Sequence, residues 1–300
     1  MSQLDRLLTS AESLVARLER LLPESSPQLN WDETVAFRWR GLQHREHLQA
    51  SCPLQPIRRP GTLSLADMQC IDHQKAEIVR NTQQFLHGLS ANNVLLWGAR
   101  GTGKSSLIKA LLDTYGADGL RLVEVDKQHL VELPEILEWL DARSERFILF
   151  CDDLSFEADD PSYKTLKAVL DGSLSVLPDN VLIYATSNRR HLLPEFNDEN
   201  LQTDQQGGEI HPGESVEEKI SLSDRFGLWL AFHPFTQDEY LQVVSYWLGK
   251  LDTPTGDWEP IRKEALRWAL KRGSRSGRAA WHFAKDWSGR SRLEQKAKVD

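Results

Sequence analysis

Residues 95–106 read LLWGARGTGKSS and join an apolar run to a glycine-rich turn. Within this stretch Gly98 to Ser105, GARGTGKS, fit the pattern GxxxxGK followed by Ser or Thr. Glycines at this spacing let the backbone turn its N–H groups toward an anion, and the N-terminus of a following helix adds partial positive charge. Lys104 is placed to reach the outer phosphates of a nucleotide and Ser105 to bind Mg²⁺. The stretch therefore predicts a phosphate-binding loop between a strand and a helix.

The expected contacts with a nucleotide extend over the whole loop and the first residues of the following helix. They comprise Gly98, Ala99, Arg100, Gly101, Thr102, Gly103, Lys104, Ser105 and Ser106. Taken alone, such a loop indicates a nucleoside triphosphate. It does not choose among kinases, GTPases and other nucleotide-driven proteins, so that choice rests on the remainder of the chain.

Short apolar strand patterns alternate with helical patterns around this loop. The strand patterns are NNVLLW, LRLVEVD, RFILFCDD, NVLIYATSN and LWLAFHPF, the last near Leu228 to Phe235. Apolar strands separated by helices form parallel sheets that are covered by helices on both sides. The chain is therefore predicted to be an α/β protein of three layers. After Phe235 only helical patterns remain, and they predict a separate C-terminal helical piece.

We expect three regions: a helical N-terminal extension and linker over 1–60, a nucleotide-binding core over 61–235, and a helical region over 236–300. Leucines spaced by three and four residues between Leu4 and Leu22 predict an amphipathic N-terminal helix. Its apolar stripe packs either on its own domain or on a partner protein, and the sequence leaves both open. The proline-rich end of the first region is interpreted as a connector.

Composition excludes several other classes of protein. Apolar residues make up 40% of the chain and tryptophan occurs ten times, which is typical of a folded globular protein. No apolar run approaches the roughly 18 residues of a membrane span, so no membrane contact is expected. The cysteines, Cys52, Cys70 and Cys151, lack metal-binding or redox spacing. The N-terminus matches no secretory signal or transit peptide, and the expected location is the cytoplasm.

Charge is distributed unevenly along the chain. The net charge is −8, yet residues 262–298 contain twelve Lys or Arg against three carboxylates, a net +9 that leaves −17 elsewhere. A basic end on an acidic body is typical of a protein that binds an anionic partner such as nucleic acid. The alternative is a set of basic helix faces that are merely solvated.

A pair of carboxylates ends the third predicted strand. Asp152 and Asp153 follow FILFC, where one carboxylate of a nucleotide hydrolase holds the water shell of Mg²⁺ and another polarises the attacking water. We therefore expect Asp152 and Ser105 to be the metal-site residues and Asp153 to be the catalytic base. The alternative is a solvated acidic loop, since Glu157 and further acids follow.

Three further segments resemble a known superfamily. They are LADMQCIDHQK before the phosphate-binding loop, LIYATSNRR at the fourth predicted strand, and SLSDRFG before the last strand. Together with the order of elements they resemble AAA+ ATPases, and the chain is similar throughout to a family of bacterial AAA+ ATP-binding proteins. The resemblance implies the P-loop AAA+ fold with a three-layer parallel sheet, a helical lid over 236–300, and ATP with Mg²⁺ as ligands.

The resemblance also assigns roles to polar side chains near the strand ends. Asn188 would lie near the γ-phosphate and act in catalysis together with Lys104. Arg225, in the RF element before the last strand, would project into the nucleotide of a neighbouring subunit, which implies a homo-oligomer. The alternative for Arg225 is an exposed arginine paired with Asp224 or Glu218.

In the lid, GSRSGRAA resembles the element that opens the nucleotide-facing helix of AAA+ proteins. Arg278 is the residue expected to contact the nucleotide. Arg275 is a rival three residues earlier, and a solvated helix arginine is the alternative.

One departure from the superfamily concerns the carboxylate pair. Many AAA+ proteins have Asp-Glu at this point, whereas this chain has Asp152-Asp153, whose second side chain is shorter. Replication initiators also show Asp-Asp and an RFG element, so the resemblance leans toward initiators and helicase loaders and implies slow, switch-like hydrolysis. Glu157 is a less favoured base. Residues 126–136 lack the aromatic residue and glycine of peptide-threading AAA+ proteins, which argues against an unfoldase.

These observations predict an ATPase whose Mg²⁺-dependent hydrolysis drives an assembly or remodelling switch. The alternative is a nucleic-acid-binding module whose shape is set by bound nucleotide. A small-molecule kinase is disfavoured because it does not require Asn188, Arg225 or a lid. Zinc and Ser-His-Asp chemistry are excluded because the nine histidines show no ligand spacing and no serine lies on a nucleophile elbow.

Overall fold

The computed structural model describes residues 30–31, 33–42, 52–58, 61, 63–157, 160–172, 177–190, 192 and 222–297. The leucine-rich N-terminal helix predicted from the sequence lies outside these residues. The described strands are β1 (Ala36–Trp39), β2 (Leu54–Pro56), β3 (Val94–Gly98), β4 (Leu120–Glu124), β5 (Arg146–Cys151), β6 (Val181–Ser187) and β7 (Leu228–Phe232). The described α-helices are α1 (Asp72–Leu86), α2 (Lys104–Tyr115), α3 (Leu133–Asp141), α4 (Pro161–Leu170), α5 (Gln237–Lys250), α6 (Trp258–Lys271) and α7 (Gly277–Lys296).

The seven strands form one sheet in the order β2-β1-β4-β5-β6-β3-β7. All neighbouring pairs are parallel except β1 and β2. The five strands from β3 to β7 are those predicted from the apolar runs, and the prediction of an α/β parallel sheet is confirmed. In this order β3, which leads into the glycine-rich loop, lies between β6 and β7. The carboxyl ends of these strands meet at one edge of the sheet, where ligands of open α/β sheets bind.

The two strands at the edge were not predicted from the sequence. In β1, Phe37 pairs with Val123 of β4 on one side and with Pro56 of β2 on the other. Both Phe37 and Trp39 are fully buried. Proline is tolerated in β2 because an edge strand leaves one side unpaired. The described part of residues 1–60 therefore contributes to the sheet, in a region where the sequence indicated only helix and connector.

Helices cover both faces of the sheet, as expected for three layers. Neighbouring strand residues point to opposite faces: Leu96 packs in one apolar cluster and Leu95 in the other. The first cluster includes side chains of α1, α2 and the three C-terminal helices, and the second includes side chains of α3 and α4. Helices α5 to α7, the predicted lid, thus share a continuous apolar core with one face of the sheet. Within the described residues, no helix is both long and apolar enough to cross a membrane.

Candidate nucleotide-binding site

The glycine-rich loop runs from the end of β3 to the start of α2 and depends on backbone shapes that favour glycine. Gly98, Gly101 and Gly103 have φ angles of +126°, +77° and +106°. A Cβ atom on Gly98 would lie 2.1 Å from the carbonyl oxygen of Phe232 in β7. The same carbonyl accepts a hydrogen bond of 2.9 Å from the N–H of Ala99. The loop is therefore fixed in place by the neighbouring strand as well as by its own glycines.

The side chain of Lys104 lies inside this loop, and the residue is only 6% exposed. Its ammonium donates hydrogen bonds to the carbonyl oxygens of Gly98 and Ala99, each at 2.8 Å, and to Oδ1 of Asn188 at 3.2 Å. Burial lowers the pKa of the Lys104 ammonium below its usual value, and the attraction of Asp153 and Asp152 offsets this only in part. A buried cation of this kind is a strong attractor for an anion that enters the loop.

A hydroxyl and a carboxylate face each other beside Lys104. The Ser105 hydroxyl donates a hydrogen bond of 2.6 Å to Oδ1 of Asp152, and the Thr186 hydroxyl donates another of 2.6 Å to the same oxygen. Hydroxyl and carboxylate oxygens are the ligands that Mg²⁺ prefers, and this ion keeps several of its waters. The donor set therefore fits Mg²⁺. Thr186 was missed from the sequence, although it is a polar residue at a fully buried strand position.

Asp153 is held by the strand beside it. Its backbone φ is +52°, its N–H donates a 2.9 Å hydrogen bond to the Thr186 hydroxyl, and its Oδ1 accepts a hydrogen bond from the Asn188 amide. Asn188 thus joins Lys104 to Asp153 through its two amide atoms. The structure brings the residues expected to hold the phosphate, the metal and the water into one hydrogen-bonded group at the ends of β3, β5 and β6.

A cavity of about 800 Å³ separates this group from the lid. This volume is in the range of sites that enclose small ligands. Residues of the loop, of the carboxylate group and of the lid line it, among them Arg100, Gly101, Thr102, Gly103, Lys104, Ser105, Ser106, Asp152, Asp153, Asn188, Phe235, Trp247, Trp281 and Arg278.

Arg278 lies at the start of α7, and its N–H donates a 3.2 Å hydrogen bond to the carbonyl of Gly101. Of the two rival arginines, Arg278 lines the cavity, whereas Arg275 is absent from the described lining.

A buried aspartate joins the other side of the cavity to the lid. Asp67 is 3% exposed and accepts hydrogen bonds from the Tyr246 hydroxyl at 2.6 Å, from the Ser64 N–H at 2.9 Å and from the Lys250 ammonium. Burial acts to raise the pKa of the Asp67 carboxyl, but these hydrogen bonds outweigh it and lower the pKa to about 2. Its role was not evident from the sequence, because both lid partners lie far along the chain.

Arg225 lies apart from this group. Neither Arg225 nor Glu157 is among the described residues that line the cavity. Arg225 forms an ion pair through Nε with Oδ1 of Asp171, at the end of α4. Asp171 was not among the two partners considered from the sequence, and one of these, Glu218, lies outside the described residues.

Comparison with solved structures shows the same fold in RuvB of Thermotoga maritima. A single-residue RuvB variant superposes with a TM-score of 0.50 at 17% identity, and the match covers 74% of this chain and 63% of that chain. A structure titled "Replication initiator DnaA bound to AMPPCP and single-stranded DNA" gives a TM-score of 0.48 at 13% identity, over 79% of this chain and 68% of that one. The present chain thus spans somewhat less than two thirds of the RuvB length.

The fold that the two chains share is the AAA+ fold. No curated protein sequence matches the chain. The family model described as "Protein of unknown function (DUF815)" matches residues 32–291, and the chain therefore belongs to this family.

Proposed function

We propose that the protein is an ATPase that binds ATP with Mg²⁺ and hydrolyses it slowly. The proposal rests on one observation: Thr186 links two sets of hydrogen-bonded residues into a single group at a cavity that the lid also lines. These residues are Lys104, Asn188 and Asp153 in one set and Ser105 and Asp152 in the other. The arrangement supplies a cation for the phosphates, oxygen ligands for the metal and a carboxylate for the water.

Each residue of the group has a distinct task in this mechanism. The loop N–H groups and Lys104 would bind the β- and γ-phosphates, and Ser105 and Asp152 would hold Mg²⁺ with its water shell. Mg²⁺ would neutralise charge on the phosphate oxygens. Asp153 accepts a proton from the attacking water. Asn188 contacts both Lys104 and Asp153. A γ-phosphate that replaces these contacts of Asn188 would therefore also change the surroundings of Asp153, the proposed base.

The site is completed by a second copy of the chain in this proposal. Arg225 lies outside the described lining of its own cavity, and in this proposal it stabilises transition-state charge in a neighbour's site, as an arginine finger does. Arg278 of the lid acts within its own chain. ATP at the subunit interface then favours assembly, and hydrolysis weakens it, which makes the protein a switch for assembly or remodelling.

The test compares ATP binding, phosphate release and oligomeric state in the parent and in Lys104→Ala. We expect this variant to lose at least about tenfold in ATP affinity, because a buried charge–phosphate contact is removed. Lys164→Ala, an exposed lysine on α4, is the matched control and should behave as the parent. Chelation of Mg²⁺ should stop hydrolysis in every active protein. Equal ATP affinity of Lys104→Ala and the parent would refute the proposed site.

A second function is favoured by the surface of the lid. The Arg272 guanidinium lies 4.4 Å from the Trp268 ring centroid, and the Arg290 guanidinium lies 5.3 Å from that of Trp287. Both tryptophans are half-buried, in the segment that carries the net charge of +9. Basic and aromatic side chains side by side are the groups with which proteins bind single-stranded nucleic acid. We propose this surface as a nucleic-acid contact whose orientation is set by nucleotide.

Fluorescence anisotropy with a labelled single-stranded oligonucleotide tests the second function. Binding should weaken steeply between about 50 and 200 mM salt, because cations released from the nucleic acid drive it. A double variant, Arg272→Ala with Arg290→Ala, should bind more weakly, while Lys164→Ala should bind as the parent does. If the parent shows no binding at about 50 mM salt, the second function is wrong.

A further inference from the structure

The backbone at Arg225 is held in place by contacts within its own chain. Arg225 and Phe226 donate backbone hydrogen bonds of 3.3 Å and 3.0 Å to the carbonyl oxygens of Leu222 and Ser223. Leu222 and Phe226 are 0% and 2% exposed and lie in the apolar core of the sheet. The backbone around Arg225 is thus fixed by core packing, and only its side chain has to be directed.

Asp171 lies on a well-packed helix, so its carboxylate can orient the side chain of Arg225. It caps the C-terminus of α4, and its N–H donates a 3.0 Å hydrogen bond to the carbonyl of Lys167. The last turns of the helix are anchored through Leu166 and Val169, both fully buried. The Asp171 carboxylate therefore meets Arg225 from a rigid element on a different part of the chain.

The ion pair has little value as a stabilising contact. The side chains of Arg225 and Asp171 are 25% and 34% exposed, and an exposed pair of this kind contributes about 0–1 kcal/mol. It does restrict a long side chain that otherwise samples many rotamers. The contact uses Nε, next to the aliphatic stem, and the two terminal nitrogens lie further along the side chain.

We propose that Asp171 is a positioning residue that presents Arg225 to the nucleotide of a neighbouring subunit. The inference rests on the proposed function, because it requires Arg225 to act in trans. Removing the carboxylate removes a contact that fixes the direction of the Arg225 side chain, so we expect Asp171→Ala to slow ATP hydrolysis about 10- to 100-fold, as small misplacements of catalytic groups do. ATP affinity of the same variant should match that of the parent.

Mixing of variants separates positioning in trans from a general structural effect. An Asp171→Ala subunit keeps a complete nucleotide site and lacks a well-directed Arg225. A Lys104→Ala subunit lacks the site and keeps the native pair of Asp171 and Arg225. The mixture should therefore hydrolyse ATP faster than the sum of the two proteins alone, and a mixture of Arg225→Ala with Lys104→Ala should do the same.

The controls distinguish the failure of each proposal. Asp179→Ala removes an exposed carboxylate on a nearby loop and should keep the parent rate. Asp171→Glu, which retains the carboxylate, should recover part of the rate lost in Asp171→Ala. If Arg225→Ala keeps the parent rate, the trans site fails and the positioning role falls with it. If Arg225→Ala is slow and rescued by mixing, but Asp171→Ala is either fast or slow without rescue, the positioning role alone is overturned.

Discussion

At the scale of single residues, Asp153, the proposed catalytic base, shows how backbone shape limits the choice of side chain. Its φ of +52° places it in the left-handed region, where Asn and Asp are several-fold enriched over other side chains. Glutamate, which many AAA+ proteins have here, is less suited to this conformation. The aspartate that distinguishes this chain from them therefore has a local physical reason.

Because Asp153 has a left-handed backbone conformation, Asp153→Asn and Asp153→Ala should differ in stability, although both should lose activity. Both variants should hydrolyse ATP at least about 100-fold more slowly, since both lack a base for the attacking water. Asn tolerates this backbone shape, whereas Ala should lower the free energy of unfolding by about 1 kcal/mol. Phosphate release and urea unfolding measure the two effects. A parent-like rate in Asp153→Asn would show that Asp153 is not the base.

Single residues of the site were predictable where the motif is contiguous and unpredictable where it is assembled in space. Lys104 and Ser105 belong to the glycine-rich motif, whereas Asp152 and Asn188 directly follow strands, and all four lie in one hydrogen-bonded group. The partners of Asp67 are 179 and 183 residues away in sequence. A lone aspartate in LADMQ carries no sign of its burial, because burial is decided by the lid that packs over it.

At the scale of elements, lid helix α5 is defined at its start by a reciprocal cap. The N–H of Thr236 donates a 2.8 Å hydrogen bond to Oε2 of Glu239, and the N–H of Glu239 donates one of 3.3 Å to the Thr236 hydroxyl. Such a cap satisfies donors that have no partner inside the helix. It also fixes the direction in which α5 leaves Phe235 and the cavity.

We expect Thr236→Ala to destabilise the protein by about 1 kcal/mol, because the hydroxyl that accepts from Glu239 is lost. Urea unfolding followed by tryptophan fluorescence reports the change, since Trp247 and Trp281 lie in the lid. Gln237→Ala, an exposed position one residue later, is the control and should stay within about 0.5 kcal/mol of the parent. Equal stability of Thr236→Ala and Gln237→Ala would contradict a role for the cap.

Elements were predictable in proportion to their length and apolar content. Strands β3 to β7 are runs of five to seven largely apolar residues, and each follows from the pattern. Strand β2 has three residues and contains Pro56, so its sequence indicates a turn or connector. It is a strand because β1 pairs with it, and β1 in turn is held by β4. Only the assembled sheet supplies that reason.

At the scale of the whole molecule, the core and the lid are joined by a buried charge. Asp67 lies in a short 3₁₀ turn (Leu65–Asp67) before α1, and Tyr246 and Lys250 lie on α5. A buried carboxylate that loses its partners is costly, since an unpaired charge then stays away from water. These contacts therefore couple helix α5 of the lid to a residue that lines the cavity.

This coupling predicts a dependence of stability on pH. The pKa of Asp67 is about 2, below its ordinary value of 3.8, so folding favours the ionised carboxylate. This difference in pKa corresponds to about 2 kcal/mol of folding stability. The stability is present above about pH 4 and is lost as the pH falls toward 2. Asp67→Asn should be destabilised by about this amount at pH 7 and by less at pH 3.

Urea unfolding of both proteins at the two pH values tests this prediction. Asp113→Asn, an exposed position on α2, is the control and should match the parent at both. If Asp67→Asn lowers the free energy of unfolding equally at pH 7 and pH 3, the loss of stability comes from packing and not from charge.

Strand β7 has a consequence for how the protein is made. The Ala99 N–H donates a hydrogen bond to the carbonyl of Phe232, and the backbone of Gly98 packs closely against the same residue. The phosphate-binding loop therefore depends on a strand that is synthesised long after the loop itself. A chain that stops after residue 190 keeps Lys104, Asp152 and Asn188 yet lacks this support. We expect such a fragment to bind no ATP in equilibrium dialysis. A chain that is still being translated would then bind no ATP until β7 has been made.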